Sequence, residues 1–257
     1  MLLFSHKQKR NRKEETTMRD LRVFERYEKK YLLTAEQYKG IFADYGHKLI
    51  PDEYPESLIQ NVYYDTPNYR LIRESIDKPV YKEKLRLRCY NEITEDDSAY
   101  LEIKKKFEGI VYKRREKLNV RTAGNMIEGR VKPADSEEAS QISKELEYFI
   151  KFYGDLMPAM YLSYFRTAWL CEDDTNVRIT FDSDITWRTE EVNLLIGSFG
   201  KKLFDNGTVL MEVKAENYLP MSLIKILEKY KIYPVSCSKY GLAYKQMLEQ
   251  NKMADAV

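Results

Sequence analysis

The sequence predicts an α+β fold: a mainly antiparallel, barrel-like sheet of about eight strands with helices between and after them. Three observations carry this. Segments rich in aromatic and β-branched residues recur along the chain with polar and apolar residues alternating. Tight connections join some of them, most plainly around Glu108–Gly109. Capped amphipathic segments of helical period separate the others.

The elements follow in order. Residues 1–20 lack apolar periodicity, carry six basic against three acidic residues, and read as a disordered leader; Met18 is a second candidate start. Residues 22–33 form the first strand. Thr34 caps a helix that stops near Gly46. Residues 58–65 are a strand, and Thr66-Pro67 starts a short helix to about Ser75. Strands at 80–91, 98–107 and 110–120 come next. Residues 121–135 read as a connection and 136–153 as a helix capped by Ser136 and stopped by Gly154. Strands at 158–170, 176–187 and 207–216 precede helices at 219–231 and 239–250. Residues 21–250 then make one domain, with 251–257 as a tail.

Composition excludes several classes. No stretch approaches ~18 consecutive apolar residues, so no membrane-spanning helix is expected. Three widely spaced cysteines, Cys89, Cys171 and Cys237, fit neither a disulfide scaffold nor a CxxC zinc site, and a reducing cytoplasm suits them best. The two histidines, His6 and His47, fall outside the strands and read as surface residues. Beyond residue 20 the chain holds 37 basic and 38 acidic residues, so composition alone does not predict a polyanion binder. Segregation of charge onto one surface would be required.

Strand periodicity supplies that segregation. Residues i and i+2 of a strand share a face. Lys84, Arg86, Arg88 and Tyr90 oppose Leu85, Leu87 and Cys89; Tyr100, Glu102, Lys104 and Lys106 oppose Leu101, Ile103 and Phe107. Lys113, Arg115 and Lys117 share a face, as do Tyr164 and Arg166, and Arg26, Glu28 and Lys30. Arg178, Thr180, Asp182 and Asp184 oppose Val177, Ile179 and Phe181; Glu212, Lys214 and Glu216 oppose Val209, Met211 and Val213. Any one such strand is explained by a solvated sheet face. Seven of them, dominated in the first half by Arg and Lys, point instead to an anion among the cations, since like charges across strands repel. In a closed barrel that face lines the lumen, where it focuses a positive field suited to phosphate oxygens.

With these residues in view, the chain resembles the triphosphate tunnel metalloenzymes, and within them the polyphosphate polymerase domain of the vacuolar transporter chaperone (VTC) family in its short bacterial form. The carrying segments are RYEKKY (26–31), VYYDTPN (62–68), KLRLRCYN (84–91), LEIKKK (101–106), VYKRR (111–115), YLSYFRTAW (161–169), VRITFDSDI (177–185), LMEVK (210–214) and SKYGLAY (238–244), in family order over residues 22–245. The resemblance implies an antiparallel eight-stranded tunnel. It also implies transfer of the γ-phosphate of a nucleoside triphosphate, ATP by expectation, to a growing inorganic polyphosphate chain with Mn2+ or Mg2+.

Carried over residue by residue, Lys30, Arg86, Arg88, Lys104, Arg166 and Arg178 match phosphate-binding positions. Tyr164 matches a phosphate-bonding tyrosine, and Ser238 and Lys239 match the terminal-helix motif. The resemblance adds Arg26, Lys113 and Arg115 as phosphate contacts, leaves open which of Lys113, Arg115 and Lys117 on their shared strand touches phosphate, and gives Glu212 as the metal ligand, the alternative being an ordinary ion pair. Lys30, Arg86, Arg88, Arg166, Arg178 and Glu212 are the expected catalytic set. The chain departs from the E-x-E-x-K opening of hydrolase and cyclase members, because Arg26 stands at the first carboxylate. That favours the polymerase branch over the alternatives, a triphosphatase or a non-catalytic polyphosphate binder. Glu28 reads either as a functional carboxylate or as an ion-pair partner. Asp182 and Asp184 read as secondary metal ligands or, preferably, as charge balance at the tunnel mouth. No nucleic acid partner is expected. The basic leader is read as solvated, with contact to a membrane surface or membrane partner as the lesser alternative.

Overall fold

The computed structural model describes residues 27–77, 79–108, 110–130, 140–216 and 218–254. The leader, Arg26, Ser136 and the last three residues of the tail lie outside them. In chain order the elements are β1 (Tyr27–Leu33), α1 (Ala35–Tyr45), β2 (Leu49–Asp65), α2 (Arg70–Ile76), β3 (Tyr81–Tyr90), β4 (Ser98–Phe107), β5 (Ile110–Asn119), α3 (Val120–Ile127), α4 (Gln141–Tyr153), β6 (Met157–Cys171), β7 (Asp174–Arg188), β8 (Lys201–Lys202), β9 (Val209–Ala215), α5 (Met221–Lys229) and α6 (Lys239–Ala254).

The strands form one antiparallel nine-stranded sheet in the order β1-β9-β7-β6-β2-β3-β4-β5, with β8 added beside β7. This corrects the eight-stranded closed barrel. Among the described residues the ladder does not join β1 to β5. One reason lies on β1, whose Lys30 carbonyl is already taken by the Val235 backbone N–H at 2.7 Å. The sheet nonetheless rolls up. Lys30 on β1 donates to the Cys237 carbonyl at 3.1 Å, and Lys84, five strands along the path on β3, donates to Ser238 Oγ at 2.9 Å. Strands that far apart reach adjacent residues only across a concave face.

The convex face is covered by helices in two patches. Leu85, Leu87, Cys89, Leu101 and Ile103 pack under α3 and α4 through Ala123, Met126, Leu146 and Phe149. Tyr31, Val177, Ile179, Phe181, Met211 and Val213 pack under α1 and α5 through Ile41, Tyr45, Leu223 and Leu227. The odd-numbered apolar residues of the strands supply both layers, as their alternation requires. The third core cluster places Tyr240, Ala243, Tyr244 and Met247 of α6 against Ile59, Tyr63, Met160, Leu162 and Leu210. Met160 and Leu162 share a strand face with Tyr164 and Arg166, and Leu210 shares one with Glu212. The concave face is therefore apolar and plugged by α6 at one end and polar beyond it.

Local rules explain most boundaries. Thr34 and Gln37 form a reciprocal capping box on α1. Gly40 in α1 leaves room for Tyr230, whose ring would lie 2.3 Å from an added Cβ. Gly154, at φ 70°, ends α4 as expected. Four boundaries differ. The cap of α4 is Ser140, which accepts from Ser143 N, rather than Ser136. Helix α2 begins at Arg70, because Thr66 Oγ1 accepts from Arg70 N while the Asp65 carboxylate accepts from Leu71 N and Ile72 N. Part of the expected connection is α3, started by Asn119, which accepts from Thr122 N. Strand β2 starts nine residues earlier than expected and carries an irregularity between Pro51 and Glu56.

Candidate functional site: a rolled concave face of cations

Two walls meet on the polar part of the concave face. The first is built by β1, β9, β7 and β6 with the start of α6. Lys30 lies opposite Glu212 in the β1–β9 register, and its ammonium is 3.3 Å from Glu28 and 3.6 Å from Glu212. Lys214 is 3.9 Å from Glu28. Arg166 grips Asp182 with two hydrogen bonds at 2.6 and 2.7 Å. Lys239, the first residue of α6, is 2.6 Å from Asp182 and 3.2 Å from Glu212 and lies over the Tyr164 ring. The apolar plug of α6 thus delivers Lys239 to the centre of the site.

The second wall is built by β2, β3, β4 and β5. Arg88 donates to Asn61 at 2.8 Å and to the Tyr164 hydroxyl at 2.9 Å, which ties the two walls together. Arg86 and Lys113 share Glu102, which is 1% exposed, at 2.7 and 2.6 Å. Lys84 and Lys104 stand directly opposite each other in the β3–β4 register. Neither has a carboxylate within 4.0 Å among the described residues.

Protonation follows from these neighbours. Burial opposes ionisation of Glu212, but Lys239, Lys30, Arg166 and Lys214 overcome it and hold the carboxyl well below its usual range. Asp182 is likewise lowered against its burial by Lys239 and Arg166. Glu102, against its burial, is brought to about 2 by Arg86, Arg88 and Lys113. Burial alone would raise the Tyr164 phenol, yet Arg88, Arg166 and Lys239 bring it below its ordinary value. The two unpaired lysines move the other way from Lys30. Burial, then Lys104, Lys82, Lys30 and Arg86, bring Lys84 down to about 7. Burial, with Lys30 and Arg86, brings Lys104 to about 8 despite Glu28 and Glu212. Burial is the larger cause at both, and neighbouring cations add to it.

Of the residues singled out from the sequence, the concave face brings together Lys30, Arg86, Arg88, Lys104, Lys113, Tyr164, Arg166, Glu212, Ser238 and Lys239. Arg178 sits farther along β7, half-buried, and binds Asp52 at 2.6 Å. Arg115 is exposed at the rim over Tyr100. Glu28 is an ion-pair partner of Lys30 and Lys214. Asp184 leaves the face it was expected to share with Arg178. The β6–β7 register shifts between Ser163 and Phe165, and Asp184 takes φ 48°, 76% exposed, 3.7 Å from Lys202. His47 is exposed as expected, and the three cysteines are free and buried. Lys84, Asp52 and Glu102 were not among the expected site residues. The alternation in β3 and β4 already put Lys84 and Glu102 on the right face, whereas Asp52 lies in the irregular stretch of β2.

A divalent cation fits this site in one way. The Glu212 oxygens meet their cations at 3.2 to 3.7 Å, looser than the 2.6 to 2.7 Å of Asp182, so the carboxylate has spare donor capacity. Among the described residues no three His, Cys, Asp or Glu side chains cluster as a cage. Glu212 with phosphate oxygens and water is the coordination style of Mg2+. No helix among the described residues is long and apolar enough to cross a membrane.

Comparison with known proteins bears on the same residues. The VTC domain family model matches residues 25–248. Subunit 2 of the vacuolar transporter chaperone complex of Saccharomyces cerevisiae is 23% identical over 158 residues, 53% of this chain and 19% of that protein. The chain thus spans about a fifth of that relative's length. Among solved structures, the PH1819 protein of Pyrococcus horikoshii aligns at TM-score 0.44 and 12% identity, covering 86% of this chain and 99% of that one. A candidate adenylate cyclase of Vibrio parahaemolyticus aligns at TM-score 0.40 and 12% identity, covering 85% and 97%.

Proposed function

The chain belongs to the VTC domain family, and from that premise we propose that it is a polyphosphate polymerase working in the rolled concave face as a phosphate tunnel. It moves the γ-phosphate of a nucleoside triphosphate, ATP by expectation, onto the end of an inorganic polyphosphate chain. The observation that carries this reading is the facing pair Lys84 and Lys104. Two half-buried lysines directly opposite each other, with no carboxylate within 4.0 Å among the described residues and only the more distant Glu28 and Glu212 acting on Lys104, cost stability unless an anion lies between them. The flanking Arg86, Arg88, Arg166, Lys30 and Lys239 add cations to the same face, and a phosphate chain is an anion whose repeated charge suits such a surface.

The reaction asks little covalent chemistry of the protein. A terminal oxygen of the acceptor chain attacks the γ-phosphorus in line, the bond to the β-bridging oxygen breaks, and nucleoside diphosphate leaves with the electron pair. Positioning and charge stabilisation carry such a transfer. Lys84, Lys104, Arg86 and Arg88 hold phosphates on one wall. Arg166, fixed by its fork on Asp182, and Lys239, anchored on Asp182 and Glu212, face the transferred group from the other. Tyr164 shares its hydroxyl with Arg88 and is placed to bond a phosphate oxygen. Glu212 is the residue that would hold Mn2+ or Mg2+, which supplies further positive charge against the phosphate oxygens. Arg26 in place of a carboxylate supports chain growth over hydrolysis, because it exchanges a metal ligand for a phosphate ligand.

Incubation of the purified protein with ATP and Mn2+, resolved on a gel stained for polyphosphate with free phosphate assayed in parallel, tests the proposal. A ladder of long polymer with ADP and little free phosphate is expected. Free phosphate without polymer would instead make the chain a triphosphatase, and neither product with tight polyphosphate binding would make it a binder.

A further inference from the structure

Among the described residues two buried side-chain oxygens make no hydrogen bond, Glu102 Oε1, which meets Lys113 as an ion pair at 2.6 Å, and Thr180 Oγ1. Thr180 lies in the middle of β7 and is 3% exposed, and its hydroxyl makes no hydrogen bond among the described residues. A buried hydroxyl left unpaired forfeits the bonds it had in water, and folded proteins leave few such groups. Valine fills the same volume in a strand with equal β preference and no such cost. A hydroxyl retained here therefore points to a partner that the protein itself does not contain.

The register fixes where that partner sits. Thr180 is opposite Glu212 on β9 and opposite Ala168 on β6, while Glu212 is opposite Lys30 on β1. Directly opposed residues share a face with Cβ atoms roughly 4.5–5.5 Å apart. One row thus crosses the floor of the site: Lys30, Glu212, Thr180 and Ala168. The row falls from long charged side chains to a methyl group, so the floor is low at Thr180 and Ala168, and side chains of the neighbouring rows cover it, leaving them 3% and 1% exposed. The neighbours of Thr180 along β7 are already engaged. Arg178 binds Asp52, and Asp182 is held by Arg166 and Lys239. Lys30, Arg166 and Lys239 all reach Glu212 beside Thr180, so cations able to turn onto a phosphate surround the position, and a hydroxyl on that floor can donate to an anionic oxygen.

We infer that Thr180 is a phosphate-binding residue, its hydroxyl donating to a non-bridging oxygen of the phosphate seated beside Glu212. This rests on the polyphosphate reading of the site and adds to it a neutral donor on the floor, where every expected contact but Tyr164 and Ser238 is a cation. A neutral donor adds direction to a site otherwise built from charge.

The test compares Thr180→Val, which removes only the hydroxyl, with Thr180→Ser, which keeps it. Each is titrated calorimetrically with inorganic tripolyphosphate without metal, and the melting temperature of the ligand-free protein is recorded. Thr180→Val is expected to weaken binding by about tenfold with a ligand-free melting temperature equal to or above wild type. Thr180→Ser should bind like wild type. Unchanged binding by Thr180→Val overturns the inference and leaves the wider reading standing. A fall in ligand-free melting temperature for Thr180→Val also overturns it, because the hydroxyl then has a partner inside the fold. Failure of the wild-type protein to bind tripolyphosphate overturns both readings together.

Discussion

The two walls of the concave face hold similar numbers of cations but balance them differently. On the β1-β9-β7-β6 wall each cation has a carboxylate: Lys30 and Lys214 have Glu28, Arg166 has Asp182, Arg178 has Asp52, and Lys239 lies between Asp182 and Glu212. On the β3-β4-β5 wall Glu102 serves both Arg86 and Lys113, and Lys84 and Lys104 have no carboxylate within 4.0 Å among the described residues. Protonation follows this division in part: Lys30 is raised by Glu212 and Glu28 over the opposing effect of its burial, Lys84 and Lys104 are brought chiefly by burial to about 7 and about 8, and burial also lowers Lys214 despite Glu28 and Glu212. A balanced wall is rigid and holds groups at fixed positions. An unbalanced wall is a charged surface waiting for an anion. Under the proposed function, placement of the reacting groups falls to the first wall and retention of the phosphate chain to the second.

The comparison breaks most sharply at Glu212. Glu212→Gln is expected to lower turnover on the order of a hundredfold or more, measured as ADP release. Turnover near wild type would remove Glu212 from the chemistry. On the other wall, Lys84→Gln and Lys104→Gln should each weaken tripolyphosphate binding roughly ten- to a hundredfold, read by calorimetry. Each variant should also melt no lower than wild type without ligand, because it relieves like-charge repulsion. A loss of ligand-free stability in both would mean that the pair holds the fold together.

Proton linkage sharpens the same contrast. A lysine whose folded pKa lies below its unfolded value destabilises the free protein while it is charged, and that cost fades as pH rises through the folded pKa. For Lys84 and Lys104 the window opens near pH 7 and 8. A bound polyanion favours the charged forms, so binding should take up protons and weaken from pH 6.5 to 9. The dependence should flatten in Lys84→Gln. Binding that strengthens with pH would contradict the charge-excess reading. The smallest effect belongs to Arg115→Ala. That side chain is at the rim on Tyr100, and its loss should weaken binding about threefold or less.

Most of this site was legible from strand parity. Arg86 and Arg88, Tyr164 and Arg166, and Glu212 and Lys214 needed only the rule that i and i+2 share a face. Parity fails where a strand changes phase. Asp184 sits at the irregularity that turns β7, so Ile185 and Trp187 join the α6 cluster while Asp182, Thr180 and Arg178 keep the polar face. Asp52 was hidden for the same reason, because the irregular stretch of β2 aims it at Arg178. Helix α3 is only eight residues long and lies in a Gly-containing stretch, where local signals compete. The lack of a carboxylate for Lys84 and the unpaired hydroxyl of Thr180 depend on what stands across the sheet, which no linear pattern contains.

The division between the walls is tested most directly by titrating Glu212→Gln with inorganic tripolyphosphate in a calorimeter. The account predicts binding as tight as wild type or tighter, because removing the carboxylate adds net positive charge to a face that retains Lys84, Lys104, Arg86 and Arg88. Loss of binding in that variant would contradict it, and would place retention of the phosphate chain on the wall assigned here to the chemistry.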